Sequence, residues 1–449
     1  MTDQQILKQA RAVLPLLDGL LGVAAPDVKQ ELERLLAEVA KKGAKEIAAK
    51  ILELLTGYPA VRNWLRKSGG TPASTKKGFG RAMPPPPPTA PPPPDTVRVS
   101  VPFGIARVIE TPVSVQRGGG TGPRATPPEK RPYQTVSVHF ATDRRASGKT
   151  KPADFFTGQR APRGTVTYGT CDVSIPADHV KSMLENPSWK KGEFRQDPKK
   201  HVVLMSVSPL DRAAFFASAS QGGPQALVFV HGYNVTFEDG ARRMAQIAYD
   251  LPFVGVPILY SWPSRGEAAA YTVDESTIDW TVPHLLRFLE DLAQTGIEKV
   301  HIIAHSMGNR AVARALQLLA LKGGSTSKFH QVVLTAPDID AEVFEQMAAE
   351  VLNTANRVTL YASSEDKALI ASKTFHGYPR AGDAAGGVVV VQGMDSVDAT
   401  GVDTSFLKHS YAASDRTVLT DVYYVLRGDA AADRKATIRK DGAYYRFVL

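Results

Sequence analysis

The chain has 449 residues, of which 43% are hydrophobic and 22% charged, and a net charge of +9, a balance typical of soluble globular proteins with room for two or three domains and a large core. Its single cysteine, Cys171, excludes an intrachain disulfide and a cysteine-ligated zinc cluster, and no apolar run reaches the ~20 residues of a membrane span. The positive balance does not call for a nucleic-acid partner, because Arg62, Arg66, Lys67, Lys76, Lys77 and Arg81 occur in one stretch without an acid, as in a solvated basic linker.

From Thr2 to Ser68 the apolar residues recur at three- and four-residue steps: Ile6, Ala10, Val13, Leu17 and Leu21, then Val28, Leu32, Leu35 and Val39, then Ile47, Ile51, Leu54 and Leu55. Pro15, Pro26, Gly43 and Gly57 punctuate them. Residues 1–68 are therefore expected to form a small helical module. A core of that size is marginal alone, and its spare apolar surface suits a protein partner or a membrane surface. The apolar stretch "AVLPLLDGLLGVAAP" is interrupted by Asp18 and does not read as a signal peptide, so the expected location is cytoplasmic. Residues 69–132 are rich in proline and glycine and cannot build a core. Nine prolines between Pro84 and Pro94 would, as polyproline II, hold their ends roughly 35 Å apart, so the segment reads as a disordered spacer.

From Tyr133 onward strand and helix alternate. Strands are expected at 135–141, 165–171, 201–207, 226–231, 257–262, 299–304, 331–336, 357–362 and 388–393, and helices at 237–250, 277–294, 309–321, 341–352 and 415–426. Apolar runs without clean alternation, separated by amphipathic helices, indicate a mostly parallel sheet covered by helices on both faces, with the early strands as an antiparallel edge. The fold class is α/β, over residues 133–427, with 428–449 as a C-terminal extension.

In such a sheet chemistry sits beyond the carboxyl ends of the strands, and "VHIIAHSMGNRAV" places Ser306 just past one of them. The pentapeptide from Ala304 to Gly308 is a nucleophile elbow with alanine at the first glycine position; both ends must be small because the bend brings strand and helix together. A serine that starts a helix as its N-cap is the alternative. A nucleophile needs a base and an acid, in the chain order Ser, Asp or Glu, His. His409 follows the last expected strand and precedes a helix, whereas His330 lies at the wrong end of its strand and His376 comes before the last strand. Asp366 in "YASSEDKAL" is the preferred acid, with Asp338 in "LTAPDID" as the alternative, and Asp340 and Glu365 read as helix-start residues. "VFVHGYNVTF" ends a strand in His-Gly, so the N–H groups of Tyr233 and Met307 are the expected oxyanion donors, with Asn234 as the alternative to Tyr233. Trp262, Tyr271 and Trp280 are candidates for an acyl pocket, and Asn234 and Trp262 for substrate contact.

The combination of "HGYN", "SWPS" (Ser261 to Ser264) and "AHSMGNR" (Ala304 to Arg310) resembles a bacterial family of α/β-hydrolases of unknown function, relatives of lipases and esterases, over about residues 133–427. The "YASSEDKAL" and "HSYAAS" segments resemble that family's acid and base segments, in support of Asp366 and His409. The resemblance implies a serine hydrolase, carboxylesterase or lipase-like, acting on a small or lipid acyl substrate with no metal and no cofactor. The alternative reading is an effector or adaptor-type protein recruited through residues 1–68, with the hydrolase as thioesterase, amidase or acyltransferase.

Overall fold

The computed structural model describes Leu32, Leu35, Leu36 and Ile51 and residues 132–448, apart from 189–192, 268–269, 324–327, 403–417 and 436. The helical module expected at 1–68 and the spacer expected at 69–132 fall almost wholly outside these residues.

Eleven strands form one sheet. In chain order the strands are β1 (Tyr133–Thr142), β2 (Arg144–Ala146), β3 (Phe156–Arg160), β4 (Thr167–Pro176), β5 (Val203–Leu210), β6 (Gln225–Val230), β7 (Val256–Ser261), β8 (Lys299–His305), β9 (Phe329–Thr335), β10 (Arg357–Ala362), β11 (Asp395–Asp398), β12 (Ile438–Asp441) and β13 (Tyr444–Phe447). The helices are α1 (Arg212–Gln221), α2 (Phe237–Asp250), α3 (Tyr271–Ala293), α4 (Gly308–Leu321), α5 (Ala341–Asn353), α6 (Lys367–His376) and α7 (Val418–Arg427). The sheet runs β12-β13-β11-β10-β9-β8-β6-β7-β1-β4-β5, while β2 and β3 form a separate hairpin. From β1 through β7, β6, β8, β9, β10 and β11 to β13 every pairing is parallel; the pairs β1 with β4, β4 with β5 and β12 with β13 are antiparallel.

Strand alternation splits the core between the two faces. Val228 and Val230 of β6 join a cluster with α1, α3, α4 and α5, while Leu227 and Phe229 join a second cluster with α2 and α7. Each central strand is buried on both sides, which is why it reads as an unbroken apolar run. Among the described residues no helix is long and apolar enough to cross a membrane.

Two expectations are corrected. The run Val388–Val391 is not a strand; the place beside β10 belongs to Asp395–Asp398, in register from Thr359 opposite Asp395 to Ala362 opposite Asp398. Valine favours strands only where a ladder partner and a packing face exist, and here three of the valines simply cover the edge of the first cluster. The residues after 427 extend the sheet itself, through the pairing of β13 with β11. A buried knot fastens them: Arg434 donates to Asp421 at 2.6 Å, and Tyr361 donates to the same carboxylate at 2.6 Å.

Candidate active site

Ser306 occupies the bend between β8 and α4 with φ of +49° and is 7% exposed. A non-glycine residue is held in the left-handed region only when its surroundings force it there. The forces are visible. The Ser306 N–H donates to Thr335 O on β9 at 3.0 Å, and its carbonyl accepts from the N–H of Asn309 at 3.1 Å, from Asn309 Nδ2 at 2.9 Å and from the N–H of Asp338 at 3.2 Å. A Cβ on Gly308 would stand 2.4 Å from the His231 carbonyl oxygen, so only glycine lets the first turn of α4 touch the end of β6. Ala304 is fully buried in the strand, and a methyl group fits where the motif more often has glycine.

The loop after β6 lies against this bend. A Cβ on Gly232 would meet the Ser306 Cβ at 3.0 Å and His305 Nδ1 at 2.9 Å, so the His-Gly turn runs directly beside the serine. Asn234 is also left-handed, with φ of +58°, and its N–H is aimed at Asp274 Oδ2 at 3.4 Å. Met307 stands at the N-cap of α4, and N–H groups ahead of the first helical turn have no acceptor within the helix. His231 holds the loop: its Nδ1–H donates to Gly232 O at 2.8 Å, and its Nε2 lies 3.2 Å from both Arg144 and Ser261 Oγ. Burial first, and then the Arg144 guanidinium, hold this imidazole well below its ordinary pKa. A neutral ring with Nε2 as acceptor satisfies all three contacts.

The two candidate acids have different surroundings. Both oxygens of Asp338 are occupied by hydroxyls, Tyr271 on Oδ2 at 2.5 Å and Ser372 on Oδ1 at 2.6 Å, with Arg310 and Arg380 at 3.6 and 3.5 Å. Asp366 follows β10, two strands from the serine, is buried, and caps α6 through Oδ1, which accepts from Ala368 N and Leu369 N at 2.9 and 3.2 Å. The capping role expected of Glu365 therefore falls to Asp366, while Asp340 caps α5 as expected. His409 lies outside the described residues, between the end of β11 and the start of α7.

Residues 214–426 match the family described as "alpha/beta hydrolase of unknown function (DUF900)". Over that span the chain is similar to the family. The match runs from α1 to α7, so β1 to β5 and β12 to β13 of the hydrolase sheet lie outside it, although the motif resemblance was expected from residue 133. No curated protein matches the chain. Three solved esterases are similar: one from Pyrobaculum calidifontis (12% identity, 67% of this chain and 86% of that one, TM-score 0.28), esterase B from Lactobacillus rhamnosis (11%, 64% and 92%, 0.27) and a carboxyl esterase from the fungus Tuber melanosporum (11%, 67% and 89%, 0.29). At these scores the fold assignment rests on the sheet and the family match alone.

Within this hydrolase the aromatic candidates take other positions. Trp262 is fully buried, stacks on His231 at 5.2 Å between ring centres and donates its indole N–H to the His231 carbonyl at 2.7 Å, so it props the loop instead of facing substrate. Tyr271 is bound to Asp338, and Trp280 packs against His284 at 4.4 Å with the Arg160 guanidinium 5.2 Å from its ring. Sequence reasoning missed several supports. The buried Arg144 donates to Ser261 Oγ, Ser264 O and Val235 O at 2.8, 2.8 and 2.7 Å, tying the "SWPS" turn to the loop after β6. Arg310, last residue of "HSMGNR", donates to Asp338 O at 2.6 Å and pairs with Glu275 at 2.6 Å. The motif tail thus serves as fastening for the serine's own backbone. An arginine two residues past the end of β1 was the available signal for Arg144.

Proposed function

We propose that this hydrolase cleaves acyl esters through a covalent intermediate on Ser306, as a carboxylesterase or lipase-like enzyme. The observation that carries the reading is the left-handed Ser306 at the strand-to-helix bend, with the Gly232 backbone packed against its Cβ. In the proposed reaction His409 removes the Oγ proton as Ser306 attacks the acyl carbonyl. Asp366 orients the imidazole, and the amides of Tyr233 and Met307 take the charge of the tetrahedral oxyanion. His409 then delivers the proton to the departing alcohol, and water, activated by the same imidazole, frees the acid and restores the serine.

Asp366 is taken as the acid for its place after β10, with Asp338, which is engaged by two hydroxyls and two arginines, as the alternative. Hydrolysis of nitrophenyl esters of increasing chain length tests the proposal. Turnover by the wild type that vanishes in Ser306→Ala and His409→Ala is expected, and the chain-length profile assigns the acyl class. Equal turnover in Ser306→Ala would overturn it.

A further inference from the structure

Between the β2–β3 hairpin, the turn at Arg265 and the first turns of α3 lies a surface cavity of about 280 Å³, lined by Arg145, Arg160 and Arg265 together with Gln159, Val273 and Thr277. Some arginines elsewhere pair with carboxylates, as Arg212 with Asp291, Arg310 with Glu275 and Arg434 with Asp421, while others such as Arg144 and Arg243 donate to neutral acceptors. The three at the cavity have no carboxylate partner among the described residues. Arg145 donates to Gln159 Oε1 at 2.8 Å. Arg160 reaches Thr277 Oγ1 at 3.3 and 3.2 Å and Ser276 Oγ at 3.4 Å, with its guanidinium beside the Trp280 ring. Arg265 is exposed, its backbone N–H donates to Asp274 Oδ1 at 2.9 Å, and among the described residues no partner holds its side chain.

The arrangement is built into the backbone. A Cβ on Gly158 would stand 2.8 Å from Arg265 Cα and 2.9 Å from Ser264 O, so β3 must carry glycine for the 264–265 turn to rest on it and bring Arg265 beside the hairpin arginines. Three guanidiniums that line one cavity and lack a carboxylate partner of their own among the described residues can donate together to a single anion. The volume is at the low end for ligand pockets, enough for a phosphate, a pyrophosphate or a phosphorylated headgroup and too small for a drug-sized molecule.

We propose that this cavity binds a phosphate group, through Arg145, Arg160 and Arg265, at a site separate from Ser306. Titration calorimetry of the full-length protein with sodium pyrophosphate and with inorganic phosphate, at constant ionic strength, tests it. Saturable one-to-one binding is expected, weakened at least tenfold in Arg145→Glu/Arg265→Glu. The equal-charge control Arg195→Glu/Lys199→Glu, on the exposed loop before β5, should stay within about twofold of wild type. An unchanged unfolding midpoint verifies the fold of each variant, and Arg145→Gln/Arg265→Gln replaces the charge reversal if that midpoint moves. Co-sedimentation with phosphatidylcholine vesicles containing phosphatidylglycerol separates the two sources of phosphate. Vesicle capture lost only in the cavity variant assigns a lipid headgroup, whereas calorimetric binding lost only in that variant, with vesicle capture unchanged, assigns a soluble phosphorylated ligand. The proposal fails if wild type shows no saturable binding in either arm, or if the cavity variant and the control behave alike.

Discussion

Around Ser306 part of the support comes from the motif itself and part from β9 and the end of β6. Asn309 and Arg310 look like ordinary helix residues in sequence, yet their side chains fasten the Ser306 and Asp338 carbonyls. Gly308 is fixed by contact with the His231 carbonyl. Gly308→Ala should therefore push α4 away from β6, abolish reaction with an acyl-type probe and lower the unfolding temperature, because no flexible side chain can give way. Ala304→Gly should retain the reaction and cost about 0.5–1 kcal/mol, the usual penalty of glycine inside a strand. Trp262→Phe removes the indole donor from a buried carbonyl; a loss of ~1–3 kcal/mol in chemical denaturation is expected. The two acids separate cleanly at this scale. Asp366→Asn should slow serine labelling by about a thousandfold or more while leaving the fold intact, by the loss of imidazole orientation. Asp338→Asn should mainly lower stability. The opposite pattern would reassign the acid.

Elements were legible wherever periodicity and packing agreed. The spans of α2, α4 and α5 and of the central strands match expectation to within a residue or two, because each strand is buried on both faces and each helix on one. What sequence could not show was decided by partners distant in the chain. The run Val388–Val391 has strong strand propensity but no ladder, and the short Asp395–Asp398 has weak propensity but the vacant edge of β10. Helix α3 starts at Tyr271, six residues before the expected 277, because its first turn is anchored by polar contacts of Tyr271, Asp274 and Glu275 that apolar periodicity does not register. Likewise the loop before β5 is secured to α2 by His179, whose ring nitrogens lie 2.8 Å from Glu185 and 3.0 Å from Asp250. Burial alone would lower the His179 pKa, but hydrogen bonds to Asp250 and Glu185, and their charges, raise it to about 9. A folded-state pKa above the unfolded value near 6.5 means that the stabilisation is complete below that pH and is lost as pH rises through about 9. Unfolding midpoints followed from pH 6 to 10 should fall across that window in the wild type and remain flatter in His179→Gln.

At the scale of the whole molecule the hydrolase sheet reaches beyond the matched family segment on both edges. The antiparallel strands β4 and β5 close one side, and the last residues of the chain close the other through β12 and β13. Removing one member of a buried ion pair leaves an uncompensated charge, so Arg434→Ala should cost about 3–5 kcal/mol, measured by denaturant unfolding. A loss below 1 kcal/mol would mean that the C-terminal strands are ornamental. Chain order placed the serine and the His-Gly turn after strands that are parallel neighbours, β8 and β6, and Asp366 after β10, two strands from β8. The supports of the site were not legible in that order, because Arg144, Asp274 and Tyr271 act through contacts made only after the sheet has assembled.

If Ser306 is the nucleophile, fluorophosphonate labelling of the purified full-length protein, with the adduct located by mass spectrometry, reads it out at the residue itself. A single adduct on Ser306, absent in Ser306→Ala and strongly slowed in His409→Ala, is the predicted result. An adduct on another residue, or equal labelling of the wild type and Ser306→Ala, would contradict it.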